Sequence, residues 1–141
     1  MSNLEKTLSI VKPDAVERNL TEKIKNIFLK NNLKIKKNKK IHITKDEAAE
    51  FYKVHQSKPF YNDLCTYLSS GPIVVMILEG ENVVQGVRDL LGPTDSTTAP
   101  KGTIRGDLGT DRMRNVAHAS DSPENAQVEI ERFFSDLFAT A

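Results

Sequence analysis

The stretch from Arg88 to His118 gathers side chains whose chemistry suits phosphate: Arg88, Thr94, Arg105, Arg112, Arg114 and Asn115 lead up to His118. Arginine presents a planar fork of donors that matches phosphate oxygens, and Thr and Asn add neutral hydrogen bonds. Histidine is the side chain readiest to act as a nucleophile near neutral pH. Singly these residues carry little weight, since a loop arginine is usually solvated and a lone histidine is usually structural. Their concentration is what points to an anionic substrate. The chain has no Gly-x-x-x-x-Gly-Lys-Ser/Thr run and no protein-kinase signature. A phosphate group here has to be held by side-chain cations rather than by a glycine-rich backbone cradle. His42 and His55 lack partners at metal-ligand spacing and read as structural or solvent-exposed.

The elements that must position these residues follow from apolar periodicity. Thr7-Leu8-Ser9-Ile10-Val11 alternates as a strand does, and Lys12-Pro13 ends it. Leu20, Ile24, Ile27 and Phe28 share one helical face, and a second strand follows through Leu33, Ile35, Ile41 and Ile43. Thr44-Lys45-Asp46-Glu47 has the form of a capping box and predicts a helix running to about Gln56. Lys58-Pro59 breaks it, and a second helix carries Phe60, Leu64, Tyr67 and Leu68 as far as Gly71-Pro72. Ile73 to Leu78 is apolar on both faces, as a covered central strand requires. Asn82 is predicted to cap a helix with Val83, Val87, Leu90 and Leu91, closed by Gly92-Pro93. Residues 93–115, with three Gly and two Pro, predict a long irregular loop, and loops of that length in a domain are usually functional. Val116-Ala117-His118 reads as a short strand. Ser122-Pro123 then opens a last helix with Ala126, Ile130, Phe133, Phe134 and Leu137 inward.

That order predicts an α/β (α+β) fold in one domain over residues 1–141: a ferredoxin-like βαββαβ sandwich, a four-stranded antiparallel sheet with helices, an inserted helical hairpin and a long active-site loop. Twenty Lys and Arg against nineteen Asp and Glu leave a net charge of +1, with no bulk pull toward nucleic acid or lipid. Lys34, Lys36, Lys37, Lys39 and Lys40 place five lysines in seven residues, read here as a solvated strand or turn rather than a nucleic-acid contact. Cys65 is the sole cysteine, so it forms no internal disulfide and no cysteine-based zinc site, and is most simply a small buried or half-buried apolar residue. No secretory signal is visible at Met1 to Lys6, and the longest apolar run, Ile73 to Leu78, is too short to span a membrane. A cytoplasmic setting without a membrane partner is the expectation. The competing reading is a ferredoxin-like nucleic-acid-binding module. Such a module is expected to carry stacking aromatics on its central strands, and Thr7 to Val11 and Ile73 to Leu78 contain none.

Asn115-Val116-Ala117-His118-Ala119-Ser120-Asp121-Ser122 resembles the signature of the nucleoside diphosphate kinases. Lys12-Pro13-Asp14-Ala15-Val16, Lys58-Pro59-Phe60-Tyr61, Ser70-Gly71-Pro72 and Gly102-Thr103-Ile104-Arg105-Gly106-Asp107 resemble further blocks of that family, in its order and spacing. The resemblance implies transfer of the γ-phosphate of a nucleoside triphosphate to a nucleoside diphosphate, in ping-pong fashion, through a phosphohistidine. By position His118 resembles the nucleophile. Lys12, Tyr52, Arg88, Thr94, Arg105 and Asn115 resemble the residues that hold phosphates and ribose, and Phe60 the aromatic that stacks on the base. Glu129, with Ser120 beside it, resembles the carboxylate that orients the imidazole. Mg²⁺ is expected to arrive on the nucleotide, because no carboxylate cage is evident.

The chain also departs from the family pattern. Asn19 to Lys23 lacks the usual glycines, and Ser96 and Lys101 stand where proline is frequent. Arg112 stands where an apolar side chain generally faces the base; either its guanidinium stacks there, or Met113 or Leu64 closes the slot. Family members are homo-oligomers, and the short C-terminus resembles that of bacterial members, with a hexamer expected ahead of a tetramer.

Overall fold

Period-two alternation in β1 (Leu4–Val11) sends Leu8 and Ile10 to one face of a sheet and leaves Thr7, Ser9 and Val11 on the other. In the computed structural model, which describes residues 4–53, 56–59, 61–93, 95–110 and 116–134, both faces are covered. β3 (Ile73–Glu81) shows this directly, with Ile73 and Val75 in one hydrophobic cluster and Val74, Met76 and Leu78 in the other. β1 runs antiparallel to β3 from Leu4 opposite Glu81 to Val11 opposite Val74. β2 (Lys34–Ile41) pairs with the far side of β3, with a bulge between Ile35 and Lys37. β4 (Ala117–Ala119) pairs antiparallel with the free side of β1, so the order is β2-β3-β1-β4.

One face is closed by α1 (Pro13–Glu17), α2 (Thr21–Lys30), α5 (Val83–Leu91) and α6 (Ile104–Leu108), through Ile24, Phe28, Val87 and Leu91 among others. The other is closed by α3 (Lys45–Phe51), α4 (Tyr61–Leu68) and α7 (Pro123–Phe134), through Ala48, Cys65, Leu68 and Phe133. The four-stranded antiparallel sheet, its helices and the α3–α4 hairpin are the ferredoxin-like plan expected.

Local differences have local causes. The expected capping box forms: Thr44 Oγ1 accepts from the Glu47 N–H and Glu47 Oε1 from the Thr44 N–H. That helix nevertheless stops at Phe51, short of Gln56, with Tyr52 at its C-cap. Asn82 occupies the N-cap of α5, yet it lies at φ +50° and its side chain does not cap the helix. The Val84 N–H is instead met from outside, by Glu5 Oε1 of β1. β1 begins at Leu4 rather than Thr7, and β4 is shifted one residue onward from the expected Val116–His118. The glycines missing before α2 are replaced by Asn19 at φ +59°, a left-handed conformation that asparagine tolerates better than most residues. Leu137 lies outside the described residues.

Two short helices were not expected. Pro13 ends β1 but also starts α1, where its missing N–H costs nothing. α6 interrupts the stretch read as irregular: Thr103 Oγ1 caps it by accepting from the Gly106 N–H, and Ile104 and Leu108 are buried.

Candidate active site

The site is built where β1 ends beside β4. Ile10 lies opposite His118 and Val11 opposite Ala117, and the Lys12 N–H donates to the Val116 carbonyl at 2.8 Å. Ser9 Oγ donates to the His118 carbonyl at 2.8 Å, fixing the backbone of that residue from the neighbouring strand. Val116 takes φ +78°, a strained conformation for a β-branched residue, and is fully buried. Asp14 helps hold it there, because its buried carboxylate accepts from the Val116 N–H at 3.2 Å and from the Tyr67 hydroxyl of α4. α1 therefore links β1, the α3–α4 hairpin and the entrance to β4.

The imidazole of His118 is half-buried and bonded at one nitrogen. Its Nε2 lies 2.9 Å from Glu129 Oε1 on α7, and Ser120 Oγ donates to the same carboxylate oxygen at 2.6 Å. A carboxylate only accepts, so Nε2 carries the proton and the lone pair is left on Nδ1. Phe51, at the end of α3, sets its ring at 80° to the imidazole with centroids 5.1 Å apart, and also meets Phe133 of α7 at 5.4 Å.

Around this histidine lies a cleft of about 1220 Å³, lined by Lys12, Tyr52, Arg88 and Arg105 together with His118 and Glu129. Burial, then the nearby Arg105, lower the Lys12 ammonium to about 8, with Asp14 partly opposing. Burial, then Arg88, lower Arg105 to about 10, with Tyr52 opposing. Burial, then Cys65 and Glu129, push the Tyr52 phenol well above its usual range. Arg105 is oriented by donating to the Gly92 carbonyl at 2.9 Å and the Ala117 carbonyl at 2.7 Å. Six cations among the described residues, Lys12, Lys53, Lys58, Arg88, Arg105 and Arg132, line this cleft against four carboxylates, and the net positive wall forms a receptor for a polyanion.

Of the residues singled out in the sequence, His118, Lys12, Tyr52, Arg88, Arg105 and Glu129 thus meet in one cleft, with Leu64 also on its wall. Ser120 sits behind, fully buried, on the Glu129 carboxylate. Phe60, Thr94, Arg112 and Asn115 lie outside the described residues. Sequence reasoning missed Phe51, Asp14 and Lys58. Phe51 fell within the helix predicted from Thr44 and was not singled out, and Asp14 is recognisable only once Tyr67 and Val116 are seen around it. Lys58 lines the cleft but sits in a Lys-Pro pair that reads as a helix break. Among the described residues no cluster of three or more His, Cys, Asp or Glu is placed to hold a metal ion.

A family model described as nucleoside diphosphate kinase matches residues 5–137. The chain is 52% identical over 132 residues to a nucleoside diphosphate kinase of a Nitratiruptor species, covering 94% of this chain and 96% of that protein. It is 50% identical over 134 residues to that of Geotalea uraniireducens, covering 95% and 98%. Among solved structures, the Aquifex aeolicus nucleoside diphosphate kinase superposes with a TM-score of 0.89 at 45% identity, covering 97% of this chain and 99% of that one. The Halobacterium salinarum enzyme in complex with CDP gives 0.90 at 37% identity, covering 97% and 91%.

Proposed function

The chain belongs to the nucleoside diphosphate kinase family and moves phosphate between nucleotides, and we propose that His118 Nδ1 is the atom that carries the phosphoryl group. The observation behind this is the hydrogen bond from Nε2 to Glu129, which leaves Nδ1 as the lone-pair nitrogen in a cleft of cations. Nδ1 attacks the γ-phosphorus in line; an N–P bond forms as the bond to the β-phosphate bridging oxygen breaks, and that oxygen leaves with its electron pair on the diphosphate. The imidazole becomes more positive during attack, and Glu129, held by Ser120, stabilises that charge. Lys12, Arg88 and Arg105 offset charge on the moving phosphoryl and leaving oxygens. A second nucleoside diphosphate then reverses the steps, so donor and acceptor use one site in turn.

Enzymes of this family use a divalent cation, and Mg²⁺ is the ion we propose: it would enter with the nucleotide and would neutralise part of the phosphate charge. In the same reading Tyr52, Thr94 and Asn115 contribute phosphate and ribose contacts, and Phe60 stacks on the base, with Arg112, Met113 or Leu64 on its other face. We read residues 1–141 as one domain that works in the cytoplasm as a homo-oligomer, a hexamer ahead of a tetramer. Among the described residues no helix is long and apolar enough to cross a membrane. The nucleic-acid-binding module is not favoured, as nothing in it calls for a histidine–carboxylate pair in a net positive cleft.

The test is transfer of label. Incubated with γ-labelled ATP and Mg²⁺ and freed of nucleotide, the protein is expected to retain an acid-labile, base-stable label and pass it to added GDP. A His118→Ala protein that still did both would refute the proposal.

A further inference from the structure

Two residues before His118 the backbone takes a turn that its side chain resists. Val116 lies at φ +78°, and a β-branched residue holds that conformation only where its surroundings over-determine it. Its isopropyl group is fully buried in the core, and its main chain is gripped on both sides. The carbonyl accepts from the Lys12 N–H at 2.8 Å, and the N–H donates to Asp14 Oδ2 at 3.2 Å. Lys12 and Asp14 flank Pro13, whose ring fixes its own φ, so the spacing of the two grips is stiff. Asp14 is in turn aimed by Tyr67 of α4. The phenol accepts from the Asp14 N–H at 2.9 Å and donates to Asp14 Oδ1, which leaves Oδ2 for Val116. From Val116 the chain enters β4, where Ala117 and His118 pair with Val11 and Ile10. An error in the turn at Val116 is therefore carried two residues on, to the imidazole.

From this chain of contacts we propose that Asp14, aimed by Tyr67, is a positioning residue for phosphoryl transfer: it sets the turn at Val116 and thereby the place of His118 relative to Lys12. The inference rests on His118 as the phosphoryl carrier. Neither Asp14 nor Tyr67 lines the cleft, so both act from behind its wall. A neutral side chain could also accept from the Val116 N–H, and burying a carboxylate costs more than burying a neutral acceptor. The charge has its use at Lys12, whose ammonium it supports against burial and against Arg105. Lys12 shares the cleft with Arg88, Tyr52, His118 and Glu129 as well. Tyr67 brings a second element into the device, because α4 also walls the cleft at Leu64. The helix beside the nucleotide is thus tied, through one phenol and one carboxylate, to the strand that bears the histidine.

The test takes the whole protein and its Tyr67→Phe, Asp14→Asn and double variants, each incubated with γ-labelled ATP and Mg²⁺. Two quantities are read: the rate at which label reaches His118, and the final amount per chain. A misplaced imidazole slows the rate and leaves the amount unchanged, whereas a failing fold lowers the amount and spares the rate of the remainder. Each single variant should label about 10- to 100-fold more slowly, with KM for nucleotide changed by less than about threefold. The double variant should be no slower than the slower single one, because the two residues act as one chain. Asp14→Asn should also move to lower pH the alkaline limb of kcat/KM that Lys12 sets near pH 8, since Lys12 loses the charge that raises its pKa. Tyr67→Phe, which keeps that charge, should leave the limb in place. Parental labelling rates in both single variants, a loss confined to the final amount, or losses that multiply in the double variant would each overturn the proposal. A parent with no label on His118 would instead overturn the phosphohistidine reading, and this inference with it.

Discussion

Lys12 is where the chemistry of single residues is most exposed to test. Its folded pKa is lowered to about 8, below the 10.5 of a free lysine, because burial and Arg105 disfavour its charge. Between those values the unfolded chain binds the proton and the folded chain does not, so Lys12 makes stability rise with pH across that window. In function the sign is opposite: above about pH 8 the free enzyme loses a phosphate-binding cation. We expect kcat/KM to descend with a limb near pH 8. Lys12→Arg, which stays charged, should remove that limb, and a pH–rate series on both proteins checks it. Phe51 makes a second case, since its ring touches both the imidazole and Phe133, one turn beyond Glu129 on α7. Phe51→Ala should lower kcat about 10- to 100-fold through misplacement of the imidazole. KM should change little, and Phe51→Tyr should recover most of the loss; steady-state kinetics on the three proteins would show it. The contrast between these two residues also marks what was legible in the sequence. Lys12 stood in the Lys12–Val16 block whose resemblance to the family implied a phosphate contact, whereas Phe51 gains its meaning only from rings brought to it by α7 and β4.

At the scale of elements, boundaries governed by local backbone chemistry were readable and those governed by distant partners were not. The capping box at Thr44 lies within four residues and was visible. The start of α5 after Asn82 was visible too, but not that its Val84 N–H is met by Glu5, seventy-nine positions earlier in the chain, rather than by the Asn82 side chain. α6 is likewise held by its surroundings: Arg18 of the turn after α1 donates to the Leu108 carbonyl at 2.6 Å. Gly92 joins an element boundary to the chemistry, because it closes α5 at φ +84° and its carbonyl receives Arg105. A Cβ at that position would come within 2.8 Å of the Thr103 side chain. Gly92→Ala should therefore cost about 1–3 kcal/mol and lower turnover with it. Gly86, inside α5 with nothing within 4 Å of an added Cβ, provides the control. Gly86→Ala should stabilise the protein by about 0.5–1 kcal/mol and leave turnover alone. Urea unfolding of both variants separates the two effects.

For the whole molecule, the sheet plan was legible because β3 is apolar on both faces and β1 alternates, patterns that hold whatever their neighbours are. The lysine-rich segment was legible as a solvated strand or turn; that it forms the edge opposite His118 required the strand order. The same order bears on how the protein is made. β1 is the first strand to leave the ribosome, yet it is an inner strand of the finished sheet, and His118 on β4 pairs with Ile10 only after more than a hundred further residues have been added. Until β4 arrives, one side of β1 presents unpaired backbone beside Leu8, Ile10 and Val11, a surface open to faulty association. Nascent chains stopped short of β4 should thus be the ones that depend on chaperones, and, lacking His118, they are expected to transfer no phosphate.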